Sequence, residues 1–250
     1  MVTTFRAPFI RPDAVAATLH RRGYAVLAAD DVAMLGGVSI DALQALASSW
    51  NDLPPDEYLR DGGRYRQRRH ACFVVGSDRC VQAPHRAHYQ PLDYNALHGG
   101  LQRWFAPMAP QTVAAPAWTQ LLQALGACFR EQRACDPWYV EAHQFRIDTR
   151  DGIGRPTPEG AHRDGVDFVA VFIVDRHAIR GGETRVFEAD GPDGQRFTLT
   201  EPWSVLLLDD TRMIHETTPI QPATASDDAV PGHRDTLVLT FRGGGFQAEA

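Results

Sequence analysis

The chain contains no lysine, and all 25 of its basic Lys/Arg positions are arginine. That absence removes whole mechanisms: there can be no Schiff-base amine, no phosphate-loop lysine and no kinase ATP-binding lysine. An anionic ligand must be held by arginine, a hydroxyl, a helix N-terminus or a metal. Cysteine is scarce, and Cys72, Cys80, Cys128 and Cys135 follow no CxxC or zinc-finger spacing. They read as reduced, mostly buried thiols. No apolar run approaches the ~20 residues of a membrane span. The opening stretch MVTTFRAPFIRPDAVAATLHRRGYAVL lacks the apolar core and small-residue cleavage site of a secretory leader, so the expected location is the cytoplasm. An excess of positive charge is missing too. The net charge of −6 and pI near 5.9 argue against gripping a nucleic-acid backbone.

What is present is ordinary in bulk: 44% hydrophobic and 22% charged residues, enough for a core of normal size. Apolar spacing with start signals predicts helices over 12–22, 39–50 and 115–134. GYAVL reads as a short strand, and 60–75 as a strand pair. From about residue 138 the character changes to short β-type runs (WYVEAHQFRID, VDFVAVFIVD, ETRVFEA, QRFTLTE, WSVLLLDD, DTLVLTFR) separated by turns. The expectation is one α+β domain over 1–250. Residues 1–137 would be helix-rich, and 138–250 would supply most of a β sandwich or barrel.

The tripeptide HRD occurs twice, at 162–164 and 233–235. About one His-x-Asp is expected by chance in a chain of this composition, so the motif alone is weak. A kinase loop would need an Asn five residues after the Asp, and Val169 and Thr240 stand there instead. A non-haem Fe(II) site takes two His and one carboxylate. On extended backbone His162 and Asp164 point the same way, so both can meet one metal. The third ligand must come from a later strand, which separates the copies: no His follows His233. His215, after the apolar run SVLLLDDTRMIH, is the best partner of the first copy; His177 lies in a turn. In the second copy Arg234 and Thr236 share a strand face and could hold a carboxylate, with the arginine supplying a two-point fork.

Over EGAHRDGVDFVAVFIVDRHAIRGGETRVFE (159–188), LLLDDTRMIHETTPIQP (206–222) and HRDTLVLTF (233–241), the sequence resembles the 2-oxoglutarate/Fe(II)-dependent dioxygenases. These have a double-stranded β-helix, jelly-roll or cupin-like core. Weaker likeness covers 53–70 and 88–95. The branch it resembles hydroxylates free amino acids such as isoleucine or leucine, and includes proteins named for biofilm, stress and motility phenotypes. The resemblance implies His162, Asp164 and His215 as Fe(II) ligands, and Arg234 with Thr236 on the distal carboxylate of 2-oxoglutarate. O2 would be consumed, succinate and CO2 released, and ascorbate would support turnover. The partner would be a small molecule, with neither nucleic acid nor membrane involved.

Further candidates sit around that set. Gln144, with Arg146 on the same face, could line the co-substrate pocket or form a barrel-rim pair. Asp167 and Phe168 follow the metal motif and could reach substrate. Arg68 or Arg69 could pair with a substrate carboxylate, and Tyr89, Gln90 and Asn95 form a polar, aromatic loop. Gly181-Gly182 reads as a tight turn. The loop at 220–233 could act as a lid. The rival readings are nucleic-acid demethylation, a ligand-binding sensor, a peptide or protein hydroxylase and a zinc hydrolase. The first needs two clasping arginines, but Arg234 and Arg242 would lie about 26 Å apart on a strand. The zinc hydrolase would lack a general base and leave Arg234 unexplained.

Overall fold

The computed structural model of the protein describes residues 5–95, 97, 99–223 and 231–248. Seven residues of the 220–233 loop (224–230) lie outside the described residues. A 3-10 turn, Pro12–Ala14, leads into α1 (Val15–Arg22), and β1 (Tyr24–Leu27) follows. Next come α2 (Ala29–Gly36) and α3 (Ile40–Leu46); Ser39 Oγ caps α3 by accepting from the Ala42 N–H at 3.2 Å. The helix expected over 39–50 is therefore α3 plus a 3-10 run, Ala47–Asp52. The two-turn α2 carries too little periodicity to announce itself.

The stretch expected as a strand pair at 60–75 is one long strand, β2 (Arg66–Val75), paired with β3 (Cys80–Gln82). After α4 (Pro110–Val113) comes α5 (Pro116–Gln132), which buries Trp118, Leu121, Leu122, Leu125 and Phe129 along one face. The remaining strands are β4 (Trp138–Asp148), β5 (Phe168–His177), β6 (Ile179–Gly181), β7 (Thr184–Glu188), β8 (Gly194–Phe197), β9 (Val205–Asp209), β10 (Met213–Thr217), β11 (Ile220–Pro222) and β12 (His233–Gly243). Gly181 and Gly182 both hold positive φ (82° and 68°), which the tight turn between β6 and β7 requires.

Every ladder among the described strands is antiparallel. The major sheet runs β1-β9-β5-β12-β4-β2-β3, so strands from the first half of the chain complete it; β10-β7-β8 and β11-β6 form the minor side. This is a double-stranded β-helix with the N-terminal helices packed outside it. The period of two along each strand divides the side chains. Phe73, Trp138, Val140, Phe168, Phe172, Leu237, Leu239 and Phe241 face the helices and form the larger core. Val169, Ile173, Leu206 and Leu208 turn inward to meet Val186, Phe197 and Met213 of the minor side. Phe129 of α5 stacks on Phe168 at 4.5 Å between centroids, and truncating such a ring costs ~3–5 kcal/mol. The larger core thus lies between the helices and the outer face of the major sheet, while the inner face carries both the smaller core and a polar cavity. No single helix among the described residues is long and apolar enough to cross a membrane.

Candidate metal centre and co-substrate pocket

His162, Asp164 and His215 meet at the inner side of the minor sheet. His162 lies in the loop before β5 but pairs with β10 as an isolated bridge: its N–H donates to His215 O at 3.0 Å, and the His215 N–H returns the bond at 2.9 Å. That pairing sets the two rings 4.7 Å apart. His162 Nδ1 donates to Gly160 O at 2.9 Å, which leaves Nε2 as the coordinating nitrogen. His215 Nε2 lies 3.8 Å from Asp164 Oδ2. One ligand atom from each residue falls within 4.8 Å of the others, so a single ion can take all three. Two imidazoles and one carboxylate suit ferrous iron with positions left open.

The support for this triad was not legible in the sequence. Asp210, just past β9, accepts the backbone N–H groups of Asp164, Gly165 and Val166 at 3.0, 2.8 and 3.0 Å. Burial and the neighbouring Asp164 carboxylate push Asp210 up to about 7. Gly165 holds φ +75°, and a Cβ there would stand 2.5 Å from the Tyr94 ring. Gln90 donates to Asp164 Oδ1 at 3.1 Å, while its own oxygen accepts from Asn95 at 3.0 Å and Arg103 at 2.9 Å. The amide is thereby held one way round and leaves Oδ2 toward His215. Glu159 Oε1 lies 3.4 Å from His162 Nε2. Burial alone would lower His162, but the Asp164 and Glu159 carboxylates raise it on balance; burial and the nearby His162 ring hold His215 well below its ordinary value.

The triad opens into a cavity of about 110 Å³ lined by inward residues of β2, β4 and β12 and by two loops. Arg234 and Thr236 stand on its β12 wall. Arg234 is 3% exposed, its Nε has no partner among the described residues, and burial plus the neighbouring Arg176 lower it to about 9. A buried, under-bonded guanidinium beside a hydroxyl is the donor set that a dicarboxylate requires. The residues present fit 2-oxoglutarate.

The second HRD divides as strand parity demands. Arg234 faces in, whereas His233 pairs with Asp175 at 3.0 Å and Asp235 with Arg146 at 2.7 Å on the other side of the sheet. The same parity corrects several expectations. Thr236 pairs across the sheet with Phe145, so Phe145 faces the cavity and Gln144 faces away, donating to Ser49 Oγ at 2.6 Å. Arg69 also faces out and bonds Asp52 O and Pro107 O, whereas Arg68 faces in. Phe168 belongs to the outer core. Asp167 pairs with Arg133 and accepts from the Gly243 N–H, away from the cavity. Tyr89 does not line the cavity; Asn95 does.

Sequence reasoning missed Arg66, Arg103 and His88 as wall residues. Arg68 is sandwiched between Phe105 (3.6 Å) and Phe145 (4.4 Å). Arg66 pairs with Asp56 at 2.7 Å. Arg66 Nη2, Arg68 Nε and Arg103 Nε are all buried without a partner among the described residues.

The family profile described as 2OG-Fe dioxygenase matches residues 47–240. Among solved structures, the chain is similar to a bsmA homolog from Methylobium petroleophilum PM1, at 50% identity over 100% of both chains with a TM-score of 0.92. It is similar to IDO from Bacillus thuringiensis at 16% identity, over 95% of this chain and 100% of that one, with a TM-score of 0.74. A third, the Fe(II)/(alpha)ketoglutarate-dependent dioxygenase TqaL, has 17% identity over 93% of this chain and 87% of its own, with a TM-score of 0.64. The last two share the fold. Comparison with curated protein sequences gives no match.

Proposed function

The chain belongs to the 2OG-Fe dioxygenase family, and from that premise we propose that it hydroxylates a free L-amino acid or a closely related small carboxylic acid. Fe(II), 2-oxoglutarate and O2 are its cofactor and co-substrates: O2 is the oxidant, one oxygen atom going to succinate as 2-oxoglutarate loses CO2 and the other to the substrate, and iron held by this site would supply the activation of O2. We assign His162 Nε2, Asp164 Oδ2 and His215 Nε2 to the iron. Arg234 and Thr236 are assigned to the distal carboxylate of 2-oxoglutarate.

The observation that carries the substrate class is a second group of buried arginines. Arg66 and Arg68 on β2, two strands across the same sheet from Arg234 (Arg66 and Arg234 both pair with Ile147), line the cavity together with Arg103, each with one buried nitrogen left unbonded. Unbonded buried donors are costly, so three together form a donor site that an anionic acceptor would satisfy. Asp56 neutralises only part of that charge, through Arg66 at 2.7 Å and Arg68 at 3.7 Å. A carboxylate matches the geometry of guanidinium donors. Four unpaired cysteines fit a reducing compartment, the cytoplasm.

The test is succinate formation by iron-loaded protein with 2-oxoglutarate, ascorbate and O2, against single free amino acids, with mass spectrometry for one added oxygen atom. Stimulated succinate with the matching product supports the reading. Basal succinate that no amino acid stimulates would sink it and move the search to peptides. Iron binding with no succinate would favour a sensor.

A further inference from the structure

Next to the arginine wall lies a second cluster of metal-ligand type. His70, His88, Glu141 and His143 are all buried and offer four donor atoms within 4.8 Å of one another. Three imidazoles and a carboxylate look like a second metal site, but the proton positions argue otherwise.

Arg68 Nη2 lies 2.6 Å from His143 Nδ1. A guanidinium only donates, so Nδ1 accepts, and the single proton of a neutral His143 sits on Nε2. That nitrogen faces Glu141 Oε2 at 3.8 Å. A metal there would have to move that proton to Nδ1, where it would face the Arg68 guanidinium. The same carboxylate oxygen is approached by His88 Nδ1 at 2.6 Å and by His70 Nε2 at 3.0 Å. An ionised carboxylate only accepts, so both of those nitrogens carry protons as well. Burial holds all three rings below their ordinary pKa and therefore neutral. Arg66, Arg68 and Arg103 nearby make the position still less hospitable to a dication.

One proton per neutral ring leaves three bare nitrogens, and since His143 Nδ1 already accepts from Arg68, two remain. His70 Nδ1 is buried with no partner among the described residues. His88 Nε2 has a different setting. His88 lines the cavity together with Gln90 and Asp164, and among the described residues no group bonds its Nε2. The cavity thus contains a neutral lone-pair acceptor beside the arginines, whereas the other unpartnered acceptor on its lining, Glu159 Oε2, belongs to the carboxylate that sits against His162 of the metal triad. Its tautomer is set by Glu141, and Glu141 is itself held by His70 and, more loosely, by His143.

We propose that His88 Nε2 accepts an N–H of the substrate's amine while the Arg66–Arg68–Arg103 wall holds its carboxylate. The clamp selects a zwitterion, a carboxylic acid that bears a free primary amine. This deepens the amino-acid reading above and rests on it. His88 is a binding residue; Glu141 is a positioning residue that acts through it.

The experiment compares an accepted amino acid with its desamino acid, in which hydrogen replaces the amine, by succinate formation in iron-loaded wild type, His88→Phe, His88→Gln and Glu141→Gln. Wild type should show a KM at least tenfold higher for the desamino acid. His88→Phe should raise the amino-acid KM by about tenfold, leave the 2-oxoglutarate KM unchanged and leave the desamino KM unchanged. His88→Gln, which keeps an acceptor oxygen, should recover part of the loss; Glu141→Gln, which frees the tautomer, should fall between. Iron content should stay at one equivalent per chain throughout. Equal KM values for the two substrates in wild type would overturn the clamp and need no variant. So would equal effects of His88→Phe on both, or a second metal equivalent that disappears in His70→Ala. Failure of any amino acid to stimulate wild type would overturn the amino-acid reading itself.

Discussion

Burying the Arg234 charge has a cost, and replacing it should separate stability from function. The side chain is 3% exposed, and burial with Arg176 nearby lowers it to about 9 from an ordinary 12.5. A base whose folded pKa is lowered has its charged form disfavoured by folding. The difference corresponds to a ceiling of roughly 5 kcal/mol at neutral pH. Relaxation and water entry reduce the realised figure, and buried ionic groups replaced by apolar side chains of similar volume return ~1–4 kcal/mol. Arg234→Met keeps the length of the stem and removes the charge. With about 2 kcal/mol gained, the ligand-free melting temperature should rise by about 4–8 °C for a chain of this size. The wild type should gain about 2.7 kcal/mol from 2-oxoglutarate at a hundred times its dissociation constant. The variant should gain nothing. Scanning calorimetry with redox-inert Zn(II) or Mn(II) in place of iron reads both shifts. A ligand-free variant that melts at or below wild type would refute the strain argument. A surviving 2-oxoglutarate shift would refute the assignment of Arg234.

His162→Ala and Asp164→Ala should each abolish iron retention in equilibrium dialysis, whereas His233→Ala, whose ring pairs with Asp175, should leave it intact; loss of iron in the last would reverse the assignment of the two HRD copies. Asp210→Ala leaves three backbone N–H groups without their acceptor and should weaken iron binding by about 10–100-fold without touching a ligand. Acid should destabilise the fold early. The ordinary imidazole value is 6.5, and burial lowers His70, His88 and His143, with His88 at about 4. Below 6.5 the unfolded chain takes up protons that the folded chain refuses, so stability is full above that value and falls as pH drops toward 4. His88 alone should account for about 3 kcal/mol of the loss. Glu141, depressed in the folded state mainly by His88 and His70 against the opposing effect of burial, acts in the same direction below its ordinary range. Urea titrations at pH 7, 6 and 5 measure the slope, and a flat profile would mean that the rings titrate alike in the folded and unfolded chain, which refutes the lowering.

The parts of the site that could be read in advance are those written in local spacing. His162 and Asp164 stand two apart, His215 ends an apolar run, and Arg234 opens the last strand; the fold brings the first three within 4.8 Å and puts the fourth on the same cavity. What could not be read is parity, because a strand's own sequence does not say which face is in. QFR at 144–146 offers two polar residues on one face, which could equally line the pocket or form a barrel-rim pair. The register Thr236↔Phe145 decides against the pocket. Likewise nothing in RQRRH separates Arg68 from Arg69 until β2 pairs with β4 through Arg68↔Phe145.

The deeper omission is the loop-borne half of the pocket. His88 and Arg103, fifteen positions apart in the sequence, are joined by two backbone bonds of 2.9 Å, and no periodicity foretells such a bridge. Yet these loops supply what the strands lack. β2 and β12 contribute donors, Arg66, Arg68 and Arg234, while the bare nitrogen of His88 comes from outside the regular sheet. That nitrogen is bare only because Glu141 on β4 occupies the other one, and Glu141 can stay ionised in the interior only because the imidazoles surround it. Each group's chemistry is set by its neighbours' protons, so the amino-acid alphabet alone could name the iron ligands but not the acceptor beside them.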